Sequence, residues 1–350
     1  MDRKLSEFYS NKIILVTGGT GSIGAEIVAQ LLKYDPKTIR ILSNSENELW
    51  EKKLLFKKDT DKLRFLLGDV RDFERMKRAA QNVDYIFHAA AIKHVPISEY
   101  NPMEAIKVNV LGLENVIEAA FISNVKKLVY ISTDKAVNPT NVMGATKMLG
   151  ERICISRDIS KGNHKISISS VRFGNVLGSR GSIIPLIKKQ IQNGDLITLT
   201  DECMRRFFMS ISQAANLVLK SMYISKGGEI FVLKMPVIKI RDLLEVLIEE
   251  FAPKIGKNSS DISIRVVGCR PGEKIDEHLI SHIEFESCYE NDEMYIIYPH
   301  VDIGHDIQKS NRNRNGLKVQ LDENFSYSTE NGYALSKEEI RQILYDLKLI

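Results

Sequence analysis

Three consecutive residues near the middle of the chain carry groups that move protons: the hydroxyl of Thr133, the carboxyl of Asp134 and the amine of Lys135. They follow the apolar run Leu128–Ser132, which reads as a strand. In open α/β sheets ligands sit outside the carboxyl ends of the strands, so chemistry would occur at this position. The plain alternative is a turn closed by a surface Asp–Lys ion pair, which stabilises little. Met143 and Lys147 follow at i, i+4 spacing and share one face of a helical stretch. Taken by itself, Met143 is an apolar helix contact.

A second constellation lies near the start. The strand-like Ile13–Val16 runs directly into TGGTGSIG. Gly18, Gly21 and Gly24 are evenly spaced, and Gly19-x-Gly21-x-x-Gly24 also fits a dinucleotide fingerprint. Such a loop must turn sharply, approach a pyrophosphate and pack a helix on a strand. The free N–H groups where Ser22 and Ile23 open the helix would hold the anion. The second strand ends at Ser43 and Asn44, neither acidic nor basic. Without a carboxylate there, a ribose 2′-phosphate meets no repulsion, which leans toward NADP over NAD. These two residues could equally cap the helix that follows. Asp69, in Gly68-Asp69-Val70 at the end of the third strand, could accept from the adenine amine or could cap a helix. Ala89, Ala90 and Lys93 at the end of the fourth strand complete the cofactor set. Lys93 and His94 are placed to line the site, although His94 alone does not argue for acid–base work.

The elements that must position these groups alternate regularly. Strands are expected at Lys12–Thr17, Thr38–Leu42, Leu63–Leu67, Tyr85–Ala89, Leu128–Ser132 and Ile166–Arg172. Helices fit between them at Ile23–Leu32, Glu46–Lys57, Phe73–Ala80, Pro102–Ser123 and Gly144–Arg157. The pattern predicts an α/β fold with a Rossmann-like, doubly wound parallel sheet and a smaller C-terminal substrate-binding lobe. Residues 1–174 form the NAD(P)-binding part and 175–300 a lobe interleaved with the sheet. The remaining 301–350 form a polar, turn-rich excursion over 301–334 followed by a last helix. Ser336 and Glu339 read as the capping box of that helix, Lys337–Leu347.

Composition excludes several classes. The chain has 350 residues, 43% hydrophobic and 27% charged, which is ordinary for a globular protein and excludes disorder. The net charge of +4 is too mild for a nucleic-acid binder. The four cysteines, Cys154, Cys203, Cys269 and Cys288, lie too far apart for a zinc motif or a disulfide framework. No apolar run reaches a membrane span and the polar start lacks a signal-peptide core, so a cytoplasmic protein without membrane insertion is expected.

The segments TGGTGSIG, GDVRD, HAAAIKHVP, STDKAVNPTNVMGATK, VRFGNVLGSRGSIIP, RRFF and RPGEK together resemble the extended short-chain dehydrogenase/reductase superfamily. More narrowly, they are similar to the UDP-N-acetylglucosamine 4,6-dehydratases of flagellin-glycan, capsule and O-antigen synthesis. The family uses a Ser/Thr, Tyr, Lys triad; this chain offers Thr133 and Lys147 but has Met143 at the tyrosine position. The resemblance implies tightly bound, internally recycled NAD(P), with Lys147 serving both cofactor and catalysis. It implies oxidation at sugar C4, removal of the C5 proton by Lys135 as base, and protonation of the departing 6-hydroxyl by Asp134 as acid. Such a lysine base must be neutral, which burial or a cationic neighbour would bring about.

The same resemblance places the diphosphate of UDP-GlcNAc on Asn175, Arg206 and Arg270, with the uridine near Ser182 and Glu273 orienting Arg270 or the ribose. The product would be a UDP-4-keto-6-deoxy-HexNAc, with or without inversion at C5. Relatives form oligomers, so a homo-oligomer is expected, with the 301–334 excursion as an arm. Two rivals stand beside this reading: a nucleotide-sugar 4-epimerase, which needs a base at O4, and a catalytically silent NAD(P)-binding sensor, which Met143 alone supports.

Overall fold

The β-branched runs of the first half become strands buried on both faces. The computed structural model describes residues 2–299, 317–318 and 327–350, and its centre is a ten-stranded sheet. Seven of its strands run parallel. From the outer edge they are Leu63–Leu67 (β3), Thr38–Ser43 (β2), Ile13–Thr17 (β1), Tyr85–His88 (β4), Lys127–Ile131 (β5), Ser167–Arg172 (β6) and Ile230–Leu233 (β10). Met294–Ile297 (β14), Cys288–Glu290 (β13) and Leu317–Lys318 (β15) extend it antiparallel. The strand order reverses between β1 and β4, where Thr17 pairs with His88. That reversal opens a crevice at the carboxyl ends of the strands. The Rossmann-like expectation therefore holds.

Two apolar layers clamp the sheet. The helices Ser22–Leu32 and Ile211–Ile224 share one core with the inward faces of β1, β4 and β10. The helices Phe73–Ala80, Gly112–Ile122 and Val142–Ile159 form the other. A third core belongs to the second half of the chain. It packs Ile183–Asn193, Ile240–Phe251 and Lys337–Asp346 around the short strands Asn175–Leu177 (β7), Ile197–Leu199 (β8), Arg205–Ser210 (β9) and Val237–Lys239 (β11). Strands β11, β9 and β7 make one small sheet, and β8 pairs with Ile264–Val266 (β12). The second half thus supplies both this lobe and four strands of the main sheet.

Three features depart from expectation. The polar start folds as a helix, Asp2–Tyr9, because Leu5 and Tyr9 lie one turn apart and are wholly buried. The expected helix Pro102–Ser123 contains a π segment, Lys107–Leu111. It turns Asn109 inward, where its side chain bonds both the N–H and the carbonyl of Ile92 (2.8 and 3.0 Å) and Thr146 (2.9 Å). Most of the 301–334 excursion lies outside the described residues. Its described end, 327–334, is anchored to the body at its start, where Tyr327 Oη accepts from Met235 N at 2.6 Å and Ser328 and Thr329 are buried, while Glu330, Asn331, Tyr333 and Ala334 are exposed.

Candidate active site

A continuous cleft of about 1630 Å³ runs along the carboxyl ends of the strands. Every residue expected at the site lines it except Asp134 and, within the glycine loop, Gly19. Its floor is the glycine loop. Gly18 has φ +64°, and a Cβ there would sit 2.6 Å from Ala90 N; a Cβ on Gly24 would sit 2.3 Å from Gly18 O. Only glycine permits this close packing. Gly21 caps the helix Ser22–Leu32 with no side-chain bond, so its first N–H groups face the cleft. This cradle fits a dinucleotide pyrophosphate.

At the adenosine end, Ser43 is buried; its hydroxyl accepts from Ser45 N (3.2 Å) and donates to Thr20 Oγ1 (3.0 Å), whose own proton goes to Glu48. The helix that follows is capped by Ser45, so Ser43 and Asn44 are not its cap. Asp69 likewise caps nothing; Asp72 caps Phe73–Ala80. Asp69 takes three bonds from Arg71, two from its guanidinium (3.0 and 2.8 Å) and one from its N–H (2.9 Å), which together hold its carboxyl below the ordinary range. Two residues outside the expected set, Glu48 and Arg180, join this end. Glu48 accepts from Thr20 Oγ1 at 2.6 Å and from Arg180 at 2.8 Å. Hydrogen bonds from Thr20, then Arg180, lower its pKa. Arg180 also bridges the mouth of the cleft: its N–H donates to Ser22 Oγ, its guanidinium to Thr20 O, and its carbonyl accepts from Lys93 Nζ at 2.7 Å.

At the centre, Thr133 caps the short turn Asp134–Ala136 that follows β5. Its hydroxyl donates to Asp134 Oδ1 at 2.6 Å. Lys135 Nζ donates to the same oxygen at 3.0 Å and to Asn175 Oδ1 at 3.4 Å. Asp134 is 0% exposed and lies behind these two residues, with no hydrogen-bond partner for Oδ2. On the cleft side of Lys135 stands Glu277, which the sequence reading missed because it sits in a charged run that looks solvated. It is 3% exposed, with Oε1 3.5 Å from Lys135 Nζ and 3.7 Å from Arg206 Nε. The expectation that surroundings would depress the Lys135 pKa is reversed. Burial pulls it down, but the carboxylates of Asp134 and Glu277 outweigh burial and raise it. Burial raises the Glu277 carboxyl, with Lys135 opposing.

Met143 and Lys147 share the cleft-facing side of Val142–Ile159. Asn141 Oδ1 caps that helix through Gly144 N at 2.8 Å. Lys147 Nζ donates to the Ile131 carbonyl at 2.7 Å, and burial drops its pKa to about 8.

The expected substrate anchors divide into two kinds. Arg270 is exposed on the cleft wall, on a turn held by Glu273, which accepts from Arg270 N at 3.1 Å. Asn175 and Ser182 also reach the cleft, and Ser182 Oγ is buried without a partner at the start of Ile183–Asn193. Arg206 differs: its guanidinium is embedded, donating to the carbonyls of Arg205, Ile275 and Lys274 at 2.7, 2.8 and 2.7 Å.

Comparison with known proteins agrees with this architecture. Residues 14–299 match the family described as "Polysaccharide biosynthesis protein". An uncharacterized membrane protein of Methanocaldococcus jannaschii is 51% identical over all of both chains; among the described residues of the present chain, no helix is long and apolar enough to cross a membrane. A UDP-N-acetylglucosamine 4,6-dehydratase (inverting) of Campylobacter jejuni is 40% identical, covering 96% of this chain and 98% of its own. A UDP-glucose 4-epimerase of Rickettsia canadensis is 37% identical over 98% of each. The crystal structure of Pen from Bacillus thuringiensis superposes with a TM-score of 0.91 at 41% identity, covering 98% of this chain and 99% of that one. With its glycine cradle, parallel sheet and this span of similarity, the chain belongs to the polysaccharide biosynthesis protein family of extended short-chain dehydrogenases/reductases.

Proposed function

We propose that the protein is a hydro-lyase that converts UDP-N-acetylglucosamine to a UDP-4-keto-6-deoxy-HexNAc, using an internally recycled nicotinamide cofactor. One observation carries the reading: a lysine at the carboxyl end of β5 is flanked by two buried carboxylates, while Met143 fills the position of a tyrosine base. Elimination of water needs a base at C5 and an acid at O6, and a lysine beside a carboxylate supplies both. A 4-epimerase needs a base at O4 and no acid at O6. A thioether accepts no proton, but oxidation at C4 releases the O4 proton in both reactions, so what favours elimination over epimerisation, despite the epimerase names among the relatives, is the lysine with its carboxylates.

The glycine cradle would hold the cofactor, which supplies oxidation at C4 and reduction at C6. The remaining work falls to the chain's own side chains. In place of a tyrosine, Lys147, water or Asp134 takes the proton that O4 loses on oxidation. Lys135 removes the C5 proton, and a neighbouring carboxyl protonates the leaving hydroxyl, a role that the sequence assigns to Asp134, which lies behind Lys135 rather than on the cleft. Arg270, Asn175 and Ser182 anchor the nucleotide diphosphate and uridine, with Glu273 holding the Arg270 turn. Arg206 supports that wall from behind. The dinucleotide is read as NADP, on the lack of a carboxylate at Ser43 and Asn44 themselves; the nearby Arg180 is paired with Glu48. Recovery of NAD instead would assign the ribose hydroxyls to Glu48.

Incubation with UDP-N-acetylglucosamine, followed by mass spectrometry, should reveal a product lighter by one water, formed without stoichiometric added nicotinamide. A product of unchanged mass with an inverted C4 would establish the epimerase instead. No reaction would leave a dinucleotide-binding protein without this activity.

A further inference from the structure

We infer that Glu277 is the acid–base partner of Lys135: it takes the proton that Lys135 must lose and passes it to the leaving hydroxyl. This rests on the dehydratase reading and assigns within it a role to a residue that the resemblance does not name. Three observations carry it. Glu277 lines the cleft, whereas Asp134 does not. Glu277 Oε1 lies 3.5 Å from Lys135 Nζ, and Oε2 is buried with no hydrogen-bond partner, so this carboxylate keeps a free acceptor. Its backbone is fixed: Glu277 N donates to Thr329 Oγ1 at 3.0 Å, and Thr329 N donates to Glu277 O at 2.9 Å.

The surroundings of the pair set its electrostatics. Lys135 faces Asp134, Glu277 and the Asn175 amide, with the Arg206 charge beyond. Glu277 faces Lys135 and Arg206, and feels Asp134 and Lys274 at longer range. Asp134 is bonded by Thr133 and Lys135 and holds the amine from the far side. Burial favours the neutral Glu277 carboxyl, whereas Asp134 and Glu277 favour the Lys135 ammonium, so the pair rests charged and the proton crosses the 3.5 Å between Nζ and Oε1 during the reaction.

The step balances without an outside proton. An N–H bond of the Lys135 ammonium breaks and an O–H bond forms on Glu277, leaving a neutral amine and a carboxylic acid. With a ketone at C4, the amine takes the C5 proton, and the C5–H electron pair becomes the C5–C6 π bond. The C6–O bond breaks, and the departing oxygen takes the Glu277 proton and leaves as water. Lys135 is again an ammonium and Glu277 again a carboxylate. The pair holds one mobile proton before and after the step, the C5 proton replacing the one that leaves in water, so the active fraction of the pair does not depend on pH across the neutral range.

Glu277→Gln keeps the shape and removes the acceptor. Its kcat should fall about 10²–10⁴-fold. Its residual rate should now climb about tenfold per pH unit, because Lys135 must lose its proton to solvent, whereas the wild type stays flat. Glu277→Asp should recover part of the rate and the flat profile. Asp134→Asn should lose rate but keep the flat profile, since the pair survives. A second readout is independent of turnover: ¹⁵N-lysine NMR of Lys135, assigned with Lys135→Arg, should titrate at lower pH in Glu277→Gln. An unmoved Lys135 titration, or a Glu277→Gln enzyme with wild-type kcat and a flat profile, overturns the inference. If the wild type releases no water from UDP-N-acetylglucosamine, the dehydratase reading and this proton path fall together, while the NMR arm still decides whether the two residues share a proton.

Discussion

Arg172 and Glu151 meet as two parallel forks inside the protein: Nε lies 3.0 Å from Oε1 and Nη2 lies 2.6 Å from Oε2. The other edge of the same guanidinium donates to Glu284 at 3.0 and 2.8 Å and to the Leu279 carbonyl at 2.8 Å. Arg172 is 1% exposed, and all five of its N–H groups are used. The cluster ties β6 and the helix Val142–Ile159 to the segment 279–284. That segment continues directly from Glu277, so a buried ion cluster helps set the active-site wall.

Breaking this cluster from the cationic side should be severe. Arg172→Met would strand the buried carboxylate of Glu151 and the part-buried one of Glu284, at a cost of about 3–5 kcal/mol. Urea unfolding at neutral pH measures it, and a loss below about 1 kcal/mol would show that the cluster is wet. The acid limb has a definite sign. Burial alone would raise the Glu284 carboxyl, but Arg172 overrides it and brings its pKa to about 2. A depressed carboxyl stabilises above its unfolded pKa, near 4.3, and that stability drains away as pH falls toward 2. Glu284→Gln should flatten this part of the acid transition.

The two arginines of the substrate wall should separate in kinetics. Arg270 is exposed on the cleft, so Arg270→Ala should raise KM with little change in kcat, as expected when uniform binding is lost. Arg206 is consumed by three carbonyls and by Glu277. Arg206→Ala should therefore lower melting temperature and kcat together. Equal KM effects with intact stability in both variants would return Arg206 to a direct diphosphate contact.

Much of this was legible in the residues themselves. The parallel strands announce themselves through β-branched runs between amphipathic stretches, and all six expected early strands form within a residue or two. The glycine loop is legible because only glycine solves its packing. What escaped was set by tertiary contact. Glu277 lies in RPGEKIDEH, a run that any periodicity argument assigns to solvent; its burial comes from residues 327–329 closing over it. Glu48 looked like an ordinary helix-face charge until Arg180, 132 positions away, met it. The antiparallel edge strands were missed because β13 and β14 are three and four residues long, too short to show alternation.

Met143 lends itself to a direct test. It is 4% exposed, lines the cleft and has no proton to exchange. Met143→Ala should reduce kcat by less than about tenfold, whereas Lys135→Ala should cost about 10²–10⁴. Met143→Tyr would place a phenol one helical turn before Lys147 and should speed oxidation at C4 if that step limits turnover. Pre-steady-state nicotinamide absorbance reads it out. A Met143→Ala loss as large as that of Lys135→Ala would give the thioether a role in chemistry.

Lys147 makes the last prediction, because its environment opposes its own charge. Nζ is buried, donates to the Ile131 carbonyl at 2.7 Å and lies 4.6 Å from the Tyr130 ring centroid. Burial lowers its pKa to about 8, with Glu151 and Cys154 resisting. In the unfolded chain the same amine titrates near 10.4. Between those values the unfolded state binds more protons than the folded state, so stability rises with pH across the window. The difference is worth about 3 kcal/mol if fully expressed. Lys147→Met should remove the rise. Cofactor-free wild type should therefore gain stability relative to Lys147→Met between pH 7.5 and 9.5, measured by urea unfolding at both values. Parallel pH dependence in the two proteins would mean that Lys147 keeps its charge at an ordinary pKa. Its bond to Ile131 would then be an ammonium's, stabilised by the ring beneath it rather than strained by burial.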